Sequence, residues 1–284
     1  MKKNDELKQK IRKTRKQKPI FSPEYTRYKR KKRNKKLLIF GAQILILVVV
    51  IGVWELLAQL KVIDTFVMSC PSLIWKKIVS MCQTGDLFYH AGITLYEATV
   101  GFLIATGAGY LIAILLWWND TLRRILDPYI VVLNSLPKIA LGPLLIIWVG
   151  VGTKAILAMD VLIMIVISII SMLNAFRAVD ENKILLLKSM GASKFQILFK
   201  LIIPNSICDF MSLLKINVGL TWVGTIMGEY LVSRAGLGFQ IVYGGQVFDM
   251  DLIMSSTVVL CVLAGLMYFI VASIEKFVYK KRGK

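Results

Sequence analysis

The sequence predicts an all-α membrane protein that crosses the bilayer several times, and two observations carry this prediction. Hydrophobic residues make up 56% of the 284 residues and charged residues 19%, unlike the composition of an ordinary soluble domain. The apolar residues also form continuous runs of about 20 or more, the length that a helix needs to cross a hydrocarbon core of about 30 Å. Continuous runs exclude a membrane β-barrel, whose strands alternate apolar and polar side chains.

The apolar runs predict six transmembrane helices. They lie at residues 37–60, 92–118, 128–151, 155–176, 206–230 and 252–277. The first run is too long for a signal peptide and lacks a small-residue cleavage site, so we expect it to remain as a membrane anchor. Pro71 is expected to open an amphipathic helix through Met81 outside the lipid core. The domain prediction is a basic tail, 1–36, without stable structure, followed by a transmembrane domain, 37–284.

The distribution of basic residues predicts the orientation. The net charge is +19, and residues 1–36 hold 17 of the 36 Lys and Arg residues. Together with 119–127, 177–205 and 276–284 they hold 29, and basic residues accumulate on the cytoplasmic side. We therefore expect a multi-pass protein of the cell membrane with both termini in the cytoplasm. The tail is expected to contact anionic membrane lipid, at about 1 kcal/mol per basic residue, and not nucleic acid.

Small residues at four-residue spacing indicate where helices pack closely, because small side chains let membrane helices approach each other. One ladder lies in the second apolar run, at Gly101, Ala105, Gly109 and Ala113, and a shorter pair lies in the fifth run, at Gly224 and Gly228. We interpret the ladder as a packing seam. For the pair, the general abundance of glycine in membrane helices is an equally good explanation.

Ionisable residues within the apolar runs are candidate pathway residues, because a charge in the lipid core costs about 2.5–3.5 kcal/mol or more. The candidates are Lys138, Asp160, Asp209, Lys215 and Glu229, of which Lys138, Asp160 and Glu229 are predicted to line the pathway. Lys138 lies between Pro137 and a Gly-Pro pair at 142–143, and broken helices are tolerated where they line a cavity. A lysine there would suit an anionic solute. Two alternatives stay open: Lys138 pairs with Asp160 or Glu229 inside the bundle, or Glu229 lies at the outer end of its helix. Glu97 is expected close to the outer interface.

Segment 177–205 is the most informative part of the chain. A connection between two neighbouring spans needs only a few residues, and this one has nearly thirty. Apolar residues recur at helical spacing before and after Gly191, at Ile184, Leu187 and Met190 and then at Phe195, Leu198 and Phe199. We predict two short helices joined at Gly191, the second capped by Ser193. Their apolar side chains form either a docking surface for a partner protein or an interfacial helix on lipid headgroups.

Segment 177–205 resembles the cytoplasmic loop of binding-protein-dependent ABC permeases, in which Glu-Ala-Ala is followed by a glycine and a terminal I-x-L-P. Gly191 and LIIP at 201–204 match that pattern. Further matching stretches are RRILDP at 123–128, LPKIALGPL at 136–144, WVGVG at 148–152, VD at 179–180, GAS at 191–193, GE at 228–229 and GLG at 236–238. The whole series, over about 37–280, is similar to the nitrate/sulfonate/taurine branch of these permeases. It implies a MetI-like permease core.

The resemblance implies an ATP-driven importer that takes up a small solute. Small anions and thiamine precursors are among the solute classes of this branch. It also implies three protein contacts: an ABC ATPase subunit, an extracytoplasmic solute-binding protein on segments 61–91 and 231–251, and a second copy of the chain. The residues that would seat in the ATPase are Leu185, Leu186, Leu187, Met190, Gly191, Ala192, Ser193, Lys194, Phe195 and Pro204. The chain departs from the family in three places: three leucines at 185–187 replace Glu-Ala-Ala, Glu97 stands where relatives often carry a basic residue, and the basic tail is long.

The sequence contains none of the motifs that would make this chain an enzyme. The phosphate loop GxxxxGK[ST] does not occur, so ATP is expected on the partner subunit and no cofactor on this one. Four cysteines and one histidine show no metal-ligand spacing. The competing function is a secondary transporter that couples the solute to an ion gradient through its intramembrane carboxylates.

Overall fold

The computed structural model describes residues 23–281, and every regular element among them is helical. The chain divides into two compact units after Val62. The first unit contains helix α1 (Pro23–Gln59). Residues 23–36 therefore belong to the same helix as the first apolar run, and the basic tail predicted over 1–36 stays a prediction. The part of that prediction that concerns residues 1–22 lies outside the described residues.

The second unit is built of helices from residue 63 onward. They are α2 (Thr65–Met68), α3 (Pro71–Thr84), α4 (Asp86–Trp118), α5 (Asp120–Ser135), α6 (Gly142–Val149), α7 (Thr153–Arg177), α8 (Glu181–Ser189), α9 (Lys194–Ile197), α10 (Ile203–Val232), α11 (Leu237–Gln246) and α12 (Met250–Lys281). Pro71 opens α3, as predicted. Its ring fixes φ near the helical value, and the first turn has no use for the missing N–H.

Five to six candidate membrane crossings are found where six were predicted, the sixth being a bent helix pair. Five of the described helical stretches are long and apolar enough to span a bilayer, and α5 with the 3₁₀ turn and α6 supplies a sixth that bends by 89°. The break follows from two prolines. Leu136, which precedes Pro137, is extended at φ −66° and ψ 141°, because the proline ring disfavours the helical conformation of its neighbour. Pro143 then sits in the first turn of α6.

The core of the second unit is the packing of α4, α7 and α10. The ladder of small residues on α4 is buried in full, and a Cβ atom on Gly101 or Gly109 would overlap Asp160 or Ser168 of α7. The pair on α10 has the same role, because a Cβ on Gly224 would also overlap Asp160. Both the ladder and the shorter pair are therefore packing seams, and the general-abundance explanation of the pair is wrong.

A buried polar cluster ties the same three helices together. The Asn217 side chain of α10 donates to Thr106 Oγ1 on α4 and to Ser168 Oγ on α7, both at 2.8 Å. All three side chains are buried. Hydrogen bonds between membrane helices contribute roughly 0.6–2 kcal/mol each, so this cluster fixes the relative rotation of the helices as well as their distance.

Candidate functional site

The geometry of segment 177–205 matches the predicted helix pair. Asp180 caps α8 by accepting a hydrogen bond from Asn182 N at 2.9 Å. The chain then turns at Gly191, whose φ of +79° is accessible mainly to glycine. Ser193 and Gln196 form a capping box at the start of α9, each side chain accepting from the backbone N–H of the other. The turn at Gly191 and the cap at Ser193 are confirmed.

The apolar side chains of this segment divide into two sets. Ile184, Leu187 and Leu198 pack against the core that α4, α7 and α10 form at this end of the bundle, and the docking role expected of Leu187 stays a prediction. The helix pair needs one apolar face to hold itself against the bundle, and these residues supply it. The outward set, which we call the docking surface, consists of Leu185, Leu186, Met190, Phe195 and Phe199, each 51–75% exposed.

The segment that carries the docking surface contacts the end of α4. Lys194 of α9 donates to the carbonyl oxygen of Trp118, the last residue of α4. Its ammonium group also lies 6.0 Å and 5.5 Å from the ring centroids of Trp117 and Trp118, within the range of cation–π attraction. The sequence pattern did not predict this contact, because 76 residues separate the two partners. Lys194 therefore joins α9 directly to the end of α4.

A π turn joins the docking surface to α10. It covers Leu198–Ile202 and runs directly into α10. Pro204 explains the local widening, because a proline has no N–H to bond the carbonyl four residues earlier and its ring crowds that group. Pro204 was predicted as part of the docking site. The structure places it half-buried in the first turn of α10, behind the docking surface.

Lys138 does not meet the intramembrane carboxylates. It starts the 3₁₀ turn between α5 and α6, and its ammonium group donates to the Asn134 carbonyl oxygen at 3.2 Å. Among the residues that the structure describes, no ion pair joins it to Asp160 or Glu229. The alternative that Lys138 pairs with one of them inside the bundle is therefore wrong. The break in the helix leaves the lysine partly exposed.

Asp160 and Glu229 are buried among helices. Both oxygens of Asp160 lie 3.1 Å from Thr225 Oγ1. Glu229 accepts from Thr94 Oγ1 at 2.6 Å and from Gly238 N at 2.5 Å. It lies near the end of α10 and ties α4 and α10 to the start of α11. It therefore holds a helix junction, and its burial excludes an exposed place at the bundle surface.

Glu97 is a further buried carboxyl group, 1% exposed. It lies on α4, faces Glu229, and accepts a hydrogen bond from Thr153 Oγ1 at 2.8 Å. Its other oxygen is buried against the Glu229 carboxyl group, and a proton on either group gives a side-chain hydrogen bond between the two. The sequence pattern placed Glu97 close to the outer interface and missed its burial, because burial depends on where α7 and α10 pack.

His90 holds the loop after α10. Its Nδ1 accepts from Gly236 N at 2.9 Å, which requires the proton of a neutral imidazole to be on Nε2. Gly236 has φ +111° and lies so close to Glu229 that a Cβ atom would overlap the carboxyl group. His90 therefore makes a specific contact between α4 and this loop.

Comparison with known proteins gives the family. Residues 105–284 match the model of the binding-protein-dependent transport system inner membrane component. The putative aliphatic sulfonates transport permease SsuC of Bacillus subtilis is 25% identical over 89% of this chain and 92% of its own length. The taurine transport permease TauC of Escherichia coli is 25% identical over 78% and 82%. The formylaminopyrimidine transport permease ThiX of Halalkalibacterium halodurans is 26% identical over 66% and 74%.

Solved structures show the same fold. A chain of the MetNI methionine ABC transporter in an inward-facing conformation has a TM-score of 0.56 and 21% identity, covering 69% of this chain and 95% of that one. A chain of a bacterial alginate ABC transporter in complex with its periplasmic protein has a TM-score of 0.61 and 14% identity, covering 88% and 97%. By its family match, this chain belongs to the binding-protein-dependent transport system inner membrane components, the permease subunits of ATP-driven importers.

Proposed function

We propose that two copies of this chain form the membrane path for a small solute, and that each copy takes its driving force from an ABC ATPase seated on the docking surface. The observation that carries this proposal is the set of five large apolar side chains exposed on a short, well-capped helix pair and the π turn that follows it. An exposed apolar surface of this kind is typical of a site that a partner protein or a membrane covers. An interfacial position on lipid headgroups is the alternative.

The contacts of α9 support a mechanical role for this segment. The Lys194 contact with Trp118 ties the segment to α4, and the π turn continues it into α10. When the ATPase subunits close on ATP, a movement of α8 and α9 is expected to move both membrane helices together. This chain breaks no bond in that cycle, and ATP stays on the partner subunit. An ion-coupled secondary transporter is not favoured by the comparisons.

The orientation and the outer partner form part of the same proposal. The excess of Lys and Arg in residues 1–36, 177–205 and 276–284 supports cytoplasmic termini. Segments 61–91 and 231–251 are then extracytoplasmic and are expected to receive a solute-binding protein. Residues 1–36 act as a cytoplasmic segment beside anionic lipid. The transmembrane permease domain follows them.

The solute is expected to be small, because the names of the curated relatives refer to sulfonates, taurine and formylaminopyrimidine. We propose Lys138, Asp160 and Glu229 as residues of the translocation pathway. Lys138 is supported by its place in the break of the third span, where a side chain can face the path directly. Asp160 and Glu229 are supported by their contacts between helices, which position α7, α10 and α11 around the translocation pathway.

The test is reconstitution with the ATPase in proteoliposomes. Phe195→Asp should lower ATP-driven uptake at least about tenfold, because a charge on the docking surface opposes burial in the partner. Gly191→Val should have a similar effect, since its φ of +79° strains any residue with a Cβ atom. Phe195→Leu is the matched control and should retain uptake. Normal coupled uptake in both Phe195→Asp and Gly191→Val would contradict the proposal.

A further inference from the structure

An apolar cavity of about 610 Å³ lies at the end of the bundle that carries segment 177–205. It is bounded by α4, by the first turns of α10 and by the last turns of α12. The volume lies within the range of small-molecule sites, about 300–1,000 Å³, and leaves room for the acyl chain of a lipid. The side chains that line it include Tyr110, Ile207, Phe210, Met211, Phe277 and Val278.

The wall of the cavity is held by packing within the bundle. The Tyr110 ring packs edge-on against Phe176 of α7 and Phe210 of α10, with ring centroids 5.7 Å and 5.2 Å away. Ser206 also lines the cavity, but its hydroxyl already donates to the Ile203 carbonyl oxygen of its own helix at 3.2 Å. The lining therefore favours an apolar occupant.

Basic residues lie at one end of this cavity. Lys200 precedes the lining residue Ile203 by three positions, and Lys280 follows the lining residue Phe277 by three, about one helical turn in each case. Both lysines are exposed, and neither belongs to an ion pair in the part of the chain that the structure describes. Residues 276–284 contain five basic and no acidic residues. The cavity therefore combines an apolar interior with a cationic end.

This combination favours a lipid over a second copy of the chain. In a symmetric contact between two copies the same surface of both meets, so the basic residues of 276–284 would face each other and repel. An anionic phospholipid has the complementary chemistry. Burial of its acyl methylene groups is favourable, and basic residues beside membrane helices attract anionic headgroups.

We propose that this cavity binds one anionic phospholipid. Its acyl chain packs against Met211, and its phosphate group lies beside Lys200 and Lys280. The inference does not rest on the proposed transport function. Because α10 begins directly after the π turn, the bound lipid would contact α10 immediately behind the docking surface.

The test counts the lipids bound to the purified full-length permease by native mass spectrometry. The probes are dioleoylphosphatidylglycerol and dioleoylphosphatidylcholine, which have the same acyl chains and differ in headgroup charge. The native protein should bind at least one phosphatidylglycerol per chain about tenfold more tightly than phosphatidylcholine, because two lysines attract the anionic headgroup. Lys200→Gln/Lys280→Gln should bind one tight phosphatidylglycerol fewer per chain.

A second variant tests the acyl-chain part of the site. Val278→Trp should also lose the tightly bound lipid, because the larger side chain takes up space inside the cavity. Ile274→Trp is the matched control on the same helix, since Ile274 is 48% exposed and is not among the lining residues. Lys183→Gln/Lys188→Gln is the control for charge, because it removes two exposed lysines of α8. Both controls should keep the lipid.

Four results would each overturn the inference. They are equal affinity of the native protein for the two lipids, an unchanged count in Lys200→Gln/Lys280→Gln, an unchanged count in folded Val278→Trp, and an equal loss in both lysine variants. Anionic lipid held by residues 1–36 alone would give the second result, and a general attraction to basic surface would give the fourth. Because Lys200 and Lys280 are exposed, their variant tests the site even if Val278→Trp does not fold.

Discussion

At the residue scale, small side chains determine how buried carboxyl groups are accommodated in this bundle. Asp160 lies directly against Gly101 of α4 and Gly224 of α10, and any Cβ atom at either glycine would overlap it. The carboxyl group fits between three helices only because two of them lack a side chain at that level. The sequence predicted packing positions at the glycines and a pathway residue at Asp160, but it did not predict that these residues are in contact.

Gly101→Ala should destabilise the permease by about 1–3 kcal/mol, the usual cost of overpacking a tight contact. Gly107→Ala is the matched control on the same helix, because a Cβ there meets nothing within 4 Å. Thermal unfolding of the purified protein in detergent measures both. Equal melting temperatures for the two variants would show that α4 and α7 do not approach each other as closely as described.

At the scale of elements, the short helices are held by local hydrogen bonds as well as by packing. Helix α9 has only four residues, too few to be stable alone. Its capping box and the Lys194 contact keep it in place. Helix α3 is similarly joined to the chain before α12 by Lys77 and Asp249, whose side chains lie 2.6 Å apart.

Ser193→Ala should lower ATP-driven uptake, because loss of an N-cap costs about 0.5–2 kcal/mol of helix stability and loosens the docking surface. Ser189→Ala is the control within the same segment, since Ser189 bonds only the Leu185 carbonyl of its own helix. Uptake into proteoliposomes compares the two. A Ser193→Ala protein with native uptake would mean that α9 keeps its position without the cap.

The tie between α3 and the chain before α12 should depend on pH. Burial disfavours the Asp249 carboxylate, but hydrogen bonds from Lys77 and Leu252 N outweigh this, so the pKa of Asp249 lies below its ordinary value of 3.8. Because its pKa is lower in the folded protein, the Asp249 carboxylate stabilises the fold. This stabilisation is complete above pH 3.8, the ordinary pKa, and is lost as the pH falls through the folded-state pKa.

Asp249→Asn should therefore lower the free energy of unfolding at pH 6 by less than about 1 kcal/mol, because the ion pair is partly exposed. The melting temperature should fall slightly as a result. The difference from the native protein should shrink as pH falls below 3.8. Melting curves across this range provide the measurement. A difference that stays constant with pH would assign the effect to packing and not to the charge.

At the scale of the whole molecule, the membrane helices arrange two functional ends. The docking surface lies at one end of α7 and α10, and the buried carboxyl groups of Glu97 and Glu229 lie near the other. The proposed coupling requires a movement at the first end to reach the second through these helices, which are packed against each other. The proposed orientation places the ATPase end in the cytoplasm.

This orientation can be tested by labelling single cysteines in intact cells, in a background without the four native cysteines. Thr84→Cys, on α3, should react with a membrane-impermeant maleimide. Lys183→Cys, on α8, should react only after the membrane is opened. The reverse pattern would place segment 177–205 outside and would exclude contact with a cytoplasmic ATPase.

The sequence by itself determined the properties that depend on local pattern: six apolar crossings, the break at Pro137, the turn at Gly191 and the cap at Ser193. Proline geometry, glycine freedom and side-chain capping act within a few residues, so their consequences can be predicted from neighbours in the chain. The small-residue ladder was predictable for the same reason.

Only the tertiary structure decided which of these elements meet. It turned Ile184 and Leu187 towards the core, kept Lys138 apart from the carboxylates, and buried Glu97 beside Thr153 at a cavity shared with Arg234. Each of these outcomes depends on the relative rotation and distance of helices far apart in sequence. That arrangement follows from the packing of all the helices together, which no local pattern specifies.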